Sequence, residues 1–370
     1  MIKSIVDKIA INENLQQDDL RLLLSISNLD ELKTLYETAY RIKLKNVGNK
    51  VYFRGIIELS NICEKDCFYC GIRKSNGNIA RFIMKEDEIL RAAQWAFDNK
   101  YGSVVLQSGE NSTPKFISFI TRLLEQIKMA TNDKLGITLS LGEQTKKAYQ
   151  QWFDAGAHRY LLRIETSNRK LYKKLHPDDH DYEARLECLN MLRDVGYQVG
   201  TGVMIGLPFQ TVDDLANDII FLKENDIDMI GMGPYLPHHD TPLAQSFNKN
   251  DFNNVHQLNM GLKMISATRI YCQDVNIAAA TALQAIHPKG REMGIQAGAN
   301  IIMPNITDAK YRTFYQLYDN KPCLDENSDQ CRECLEERIL NIGETIGYNE
   351  RGDSPHFKKR CSGYLANADS

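Results

Sequence analysis

The amino-acid sequence predicts an α/β fold, a complete (β/α)8 TIM barrel with helical N- and C-terminal extensions. Three observations carry that expectation. Between residues 48 and 306, short apolar runs alternate with helical runs through eight units, a pattern that builds a parallel sheet and suggests its closure. A length of 370 residues allows two average domains, but it also suits one barrel of ~250 residues with additions at each end. A cysteine loop, not a Gly-rich phosphate turn, follows the first strand, which argues against an open doubly wound sheet. The expected layout is an N-terminal helical extension over 1–47, the barrel over 48–306 and a helical tail over 307–370.

Each element has its own local reason. Asp18 to Ile26 places acids first and apolar residues at helical spacing, and Asn28 opens a second helix that runs to about Lys45. Val51 to Leu59 is β-rich. Glu86 to Asp98 is helical, Ser103 to Gln107 a buried strand, Lys115 to Ile127 a helix, Gly136 to Leu141 a strand, Thr145 to Ala155 a helix and Arg159 to Arg163 a strand. Helices follow at Asn168 to Leu175 and Tyr182 to Val195. The strand Val199 to Ile205 is ended by Gly206-Leu207-Pro208. Val212 to Asn225 is a helix, Met229 to Met232 a strand, Asn253 to Tyr271 a helix, Asn276 to Ala282 a small-residue strand, Arg291 to Ala297 a helix and Asn300 to Met303 the last strand. Residues 307–350 read as a helical tail. The polar end from Gly352 to Ser370 is expected to be mobile.

Composition narrows the function. With 45 Lys+Arg against 48 Asp+Glu the net charge is −3, which does not suit a chain coated by nucleic acid. No apolar run reaches the ~18 residues of a membrane span. The start, Met1 to Asp7, has no long apolar core, so a signal peptide is not expected and a cytoplasmic location is.

Nine cysteines, an odd number, argue for metal or catalytic thiols over a disulfide framework in a cytosolic chain. Cys188, Cys272 and Cys361 stand alone and suit small hydrophobes or tail residues. Cys63, Cys67 and Cys70 form C-x3-C-x2-C on the loop after the first strand, the edge where barrels place their chemistry. Three thiolates there can hold three irons of a 4Fe–4S cluster and leave the fourth open to a substrate. Structural zinc would need four protein ligands, and no histidine sits at ligand spacing. A second group, Cys323, Cys331 and Cys334, could hold a 2Fe–2S or another 4Fe–4S cluster. His238-His239-Asp240 makes a poor chelate, because adjacent side chains of a strand point to opposite sides, and a loop role at the cavity mouth is expected.

The first cysteine group, with Tyr69 before its third member, resembles the signature of radical S-adenosylmethionine (SAM) enzymes. That resemblance implies SAM on the open iron and one-electron cleavage to methionine and a 5′-deoxyadenosyl radical. Gln107-Ser108-Gly109-Glu110, at the end of the second strand, resembles the Gly-Gly-Glu segment of that superfamily, which binds the SAM amino group; Ser108 replaces a glycine. The resemblance also implies that Arg163 and Arg185 meet a carboxylate, Glu165 a ribose or amino group, and Gly202 to Pro208 the adenine.

Phe53 to Asn61, Leu106 to Glu110, Thr138 to Glu143, Arg159 to Arg163, Gly233 to His238 and Asn300 to Asn305 together are similar to the FeFe-hydrogenase maturase family HydE. Methylornithine synthase-like and biotin synthase-like enzymes are the enzyme alternatives, and an iron–sulfur binding module the non-enzyme one. The maturase resemblance implies an iron–carbonyl–cyanide–cysteine substrate, HydG-type and HydF-type partner proteins, and an electron donor such as flavodoxin or ferredoxin. It also implies an auxiliary cluster site in some members at the position of Cys323, Cys331 and Cys334. Ile164 stands where some members carry histidine. An anionic organometallic substrate calls for arginines and hydroxyls, and Arg54, Arg163, Tyr311 and Tyr315 are the candidates.

Overall fold

The computed structural model describes residues 2–11, 13–247, 252–324 and 328–368. Its spine is the first strand, β1 (Lys50–Ser60). There Val51, Phe53, Ile57 and Leu59 turn one face to the hydrophobic core, while Arg54, Ile56 and Glu58 alternate onto the other. Parallel neighbours follow in order: β2 (Ser103–Ser108), β3 (Gly136–Ser140), β4 (Arg159–Leu161), β5 (Gln198–Thr201), β6 (Met204–Ile205), β7 (Met229–Ile230), β8 (Gly233–Pro234), β9 (Asn276–Ile277), β10 (Ile301–Ile302) and β11 (Thr345–Ile346). The main sheet runs β10-β1-β2-β3-β4-β5-β7-β9, with β6 and β8 paired as a second ladder above β5 and β7. The fold is thus a curled, parallel α/β sheet with its helices packed outside, as the alternation predicts.

The two path ends also meet. Asn300 N–H donates to Ile277 O at 2.9 Å and Ala279 N–H to Ile301 O at 2.9 Å, and Ala278 and Ile301 form an isolated parallel bridge.

Several predicted strands are shorter than expected. Val199–Ile205 is two pieces, because Val203 bridges to Glu165 and because Gly202 lies where a Cβ would come within 2.1 Å of Gly231 O. The small-residue run expected as strand to Ala282 turns into helix Thr281–Ile286. Of the N-terminal helices, Gln17–Ser25 and Leu29–Asn46 pack their apolar faces on the long helix Asn254–Cys272, which is buried on nearly every side.

The tail departs most from expectation. It is not helical throughout: β11 adds a strand beside the start of β1. The polar end expected to be mobile forms helix Pro355–Ala368. Ion pairs anchor the start of that helix. His356 bridges Asp226 and Asp274 at 2.7 and 3.1 Å, and Arg360 meets Asp228 at 2.7 Å. Before it, Gly347–Ser354 crosses the N-terminal end of the sheet. Gly352 O accepts from Arg54 and Asn276, Arg351 O accepts from Arg159, and Asp353 pairs with Arg159 at 2.8 Å. Among the described residues no helix is long and apolar enough to cross a membrane.

Candidate active site

The cysteine loop leaves β1 at Asn61, whose buried amide donates to Ala80 O and Phe314 O at 2.8 Å each. Arg81 folds the loop around itself, donating to the carbonyls of Asn61, Ile72 and Asn76. Cys67 is buried, and Cys63 and Cys70 are half-buried. Gly109 is required beside them: a Cβ there would lie 2.3 Å from Ile62 O and 2.8 Å from Cys63 Cβ. Glu110 N–H donates to Cys63 Sγ at 3.3 Å.

Burial pushes the Cys63 thiol up, the Cys67 thiol up to about 12 and the Cys70 thiol well above its ordinary range. Buried thiols grouped on one short loop suit a metal, which takes the place of their protons. The three cysteines therefore fit an iron–sulfur cluster.

Beside the loop, at the ends of β2 and β3, two acids and two bases interlock. Lys65 Nζ lies 2.7 Å from Glu143 and 3.4 Å from Glu110. Arg185 Nε, on helix Tyr182–Val195, lies 2.6 Å from Glu143. Glu143 N–H donates to Glu110 Oε2 at 2.8 Å. Burial, then the charge of Glu143, raises Glu110 to about 7; against the same burial, Arg185 and Lys65 hold Glu143 below its ordinary value. Glu143 and Lys65 were not among the expected site residues. A repeated Gly-Glu at consecutive strand ends, Gly109-Glu110 and Gly142-Glu143, is the signal that points to the first.

The remaining expected residues divide. Gln107 is half-buried, and Ser108 Oγ donates to Gly109 O at 2.6 Å. Arg163 pairs with Glu165 at 3.0 Å and donates to Val203 O at 3.1 Å. Glu165 holds a left-handed backbone, φ +68°, fixed by its own N–H to Gly202 O and its carbonyl to Met204 N–H. Ile164 is buried in the hydrophobic core, and its N–H donates to Thr201 Oγ1 at 3.0 Å.

Arg54 lies deep in the sheet's interior and borders a cavity of about 20 Å³ with Val105, Thr138, Met229 and Asn276. Tyr315 is buried, but Tyr311 faces outward, donating to Glu88 at 2.7 Å and stacking on Phe82. Glu58 was missed: it accepts from Asn305 at 3.0 Å and pairs with Lys321, which also donates to Tyr315 O at 2.9 Å. A lone acid inside an apolar strand is the signal for Glu58; Lys321 reaches it only through the tail's path.

His238 and His239 lie on a loop rather than a strand, and their ligand atoms and Asp240's lie within 4.8 Å of one another. Their rings stack at 4.7 Å and 14°. In-plane lone pairs of near-parallel rings do not converge on one ion, and Asp319 already holds His239 Nδ1 at 2.8 Å. Of the second cysteine group, Cys323 is half-buried with φ +63° and Cys334 is exposed on helix Ser328–Asn341. Cys331 belongs to that helix, and its side chain lies outside the described residues.

The Radical SAM superfamily matches residues 57–222. The [FeFe] hydrogenase maturase subunit HydE of Thermotoga maritima is 43% identical over 358 residues, 96% of this chain and 99% of that protein. The 3-methylornithine synthase of Methanosarcina acetivorans is 27% identical over 80% of this chain and 81% of its own. A crystal structure of methylornithine synthase superposes with a TM-score of 0.79 at 23% identity, over 93% of this chain and 97% of that one. The HydG maturase superposes with 0.77 at 19% identity, over 93% and 75%. These two superpositions show the shared fold. The chain belongs to the radical SAM superfamily, whose members use a 4Fe–4S cluster and SAM. Within it, the chain belongs to the HydE family and is a radical SAM enzyme of hydrogenase maturation.

Proposed function

We propose that Cys63, Cys67 and Cys70 hold the 4Fe–4S cluster and that SAM binds its open iron. When bound, the two supply one-electron reductive cleavage of SAM to methionine and a 5′-deoxyadenosyl radical. The observation that carries this reading is the balanced cluster of Glu110, Glu143, Lys65 and Arg185 beside the cysteines. Two acids and two bases match a zwitterion, the ammonium and carboxylate of an amino acid. Glu110, with Gln107, Ser108 and Gly109, accepts from the ammonium; Arg185 and Arg163 face the carboxylate; Glu165 takes the ribose hydroxyls. The sheet closes as a complete (β/α)8 barrel over residues 48–306, supported by the hydrogen bonds between β9 and β10. Residues 1–47 and 307–370 are its extensions.

The second substrate is an anionic iron–carbonyl–cyanide–cysteine unit received from a HydG-type protein, its product passing to a HydF-type one, in the cytoplasm, with a flavodoxin or ferredoxin as electron donor. Identity of 43% to HydE over 96% of this chain, against 27% to 3-methylornithine synthase over 80%, supports this over the methylornithine alternative. Cys323, Cys331 and Cys334 hold an auxiliary cluster outside the core reaction.

The test is anaerobic reconstitution of the full chain, reduction with dithionite and assay of SAM cleavage and of hydrogenase maturation in an extract lacking HydE. Both activities are expected, no methylornithine should form from lysine, and replacing any of Cys63, Cys67 or Cys70 by Ala should abolish cleavage. Lysine conversion at the rate of cleavage would overturn the substrate assignment.

A further inference from the structure

The tail sends one cation into the interior. Residues 315–321 cross the rim by the cysteine loop and are pinned on both sides. Gly71 N–H donates to Leu317 O at 3.0 Å, Asp319 N–H to Pro237 O at 3.1 Å, and His239 N–H to Asp319 at 3.0 Å. Lys321 then turns inward. Its Nζ pairs with Glu58 and donates to Tyr315 O at 2.9 Å, and both side chains of the pair are buried, at 9% and 5% exposure. The other oxygen of Glu58 accepts from Asn305 at 3.0 Å. These contacts, the ones Lys321 makes among the described residues, use two of an ammonium's three donors. Glu58 is in register with Gln107 on β2, and Gln107 with Ser140 on β3, so the three share the inner face of the sheet. Gln107, Ser140 and Asn305 are only half-buried there, so the space beside the pair is open.

We propose that Lys321 is a specificity-determining residue that binds the carboxylate of the second substrate, with Glu58 and the Tyr315 carbonyl holding its ammonium in place. This rests on that substrate being the cysteine-bearing iron unit proposed above. A buried ion pair is a weak fastener, since apolar side chains of the same volume hold as well or better, so closing the tail over the rim does not by itself call for this one. A lysine ammonium is a compact point charge with rotatable donors, suited to a single carboxylate oxygen. Its partner Glu58 lies level with Gln107, so the bound carboxylate sits inside the sheet next to the proposed SAM segment.

Equilibrium binding to the reconstituted, SAM-loaded full chain tests this with two synthetic probes. One is the iron–carbonyl–cyanide complex of cysteine; the other is the same complex of cysteine methyl ester, whose ester carries no charge. The wild-type chain should prefer the free carboxylate by roughly 10- to 100-fold, the effect of one hydrogen bond between charged groups. Lys321→Met should lose that preference. It leaves Glu58 buried without its counter-charge, so should it fail to fold, Glu58→Gln combined with Lys321→Met removes both charges together and should bind the two probes alike. A tail merely loosened by the change weakens both probes equally and keeps the preference, whereas loss of a carboxylate contact weakens the cysteine complex alone. Equal affinity of the wild-type chain for the two probes overturns the proposal, as does a preference that survives in the double variant. A wild-type chain that binds SAM but neither probe overturns the substrate reading itself, and this proposal with it.

Discussion

Glu110 shows how one side chain gathers a site. Its backbone N–H reaches Cys63, its carboxylate accepts from Glu143 N–H, and Lys65 lies 3.4 Å away. In Glu110→Gln the fold keeps a side chain of the same shape, but the ammonium of SAM loses a charged acceptor. A hydrogen bond to a charged group contributes about 1.5–3 kcal/mol, so SAM affinity should fall roughly 10- to 100-fold, measured by equilibrium binding to the reconstituted protein. Unchanged affinity would remove Glu110 from the SAM site. Residues of this kind are legible in sequence when spacing or a strand end marks them, as with Cys63, Cys67, Cys70 and Glu110. Lys321 and Tyr69's histidine partner are not, because tertiary paths from distant segments bring them in.

At the scale of elements, helix Pro355–Ala368 is held by charges whose strength depends on pH. Hydrogen bonds to Asp274 and Asp226 raise His356 to about 9, and those donated by His356 and Lys359, against burial, lower Asp274 to about 2. The raised histidine contributes stability fully below its unfolded value of ~6.5, and that contribution is lost as pH rises towards 9. The lowered aspartate contributes above its unfolded value of ~4, and that is lost as pH falls towards 2. Amide protection of this helix, corrected for intrinsic exchange, should therefore be greatest between pH ~4 and ~6.5 and fall between ~6.5 and 9. His356→Ala should flatten the alkaline limb. A flat profile in the wild-type chain would show that other contacts dominate. The same feature explains why the helix escapes sequence reading. Its anchors are His356, Lys359 and Arg360 on aspartates more than eighty residues away, and no apolar stripe announces them. The strands of the parallel sheet, by contrast, are legible because their apolar runs are buried on both faces.

Across the whole molecule, the end of the sheet opposite the cysteines depends on one acid. Arg159 is fully buried and pairs with Asp353, and burial lowers both Arg159 and the neighbouring Arg54. Asp353→Asn leaves these guanidinium groups without their nearest counter-charge. Breaking a buried pair from one side costs about 3–5 kcal/mol, and Asp353's partial exposure places the expected loss near the lower figure, read as a shift in the denaturant midpoint at constant slope. No shift would mean that the carbonyls of Arg351 and Gly352 alone hold the guanidiniums. The sheet order could be anticipated from the alternation of elements. That the chain's last fifth returns to both ends of the sheet could not, since nothing local in Gly347–Ser354 encodes its distant partners.

That return makes the interior a dead end. Residues 347–354 stopper one side, and the cysteine loop sits at the other, where Gly71 N–H meets Leu317 O at 3.0 Å. A passage closed at one end imposes a queue. With SAM at the proposed cluster on that rim, a substrate seated deeper would arrive first and depart last. On that reading the fragments of SAM would clear before the altered substrate leaves, so the path out would couple release to turnover.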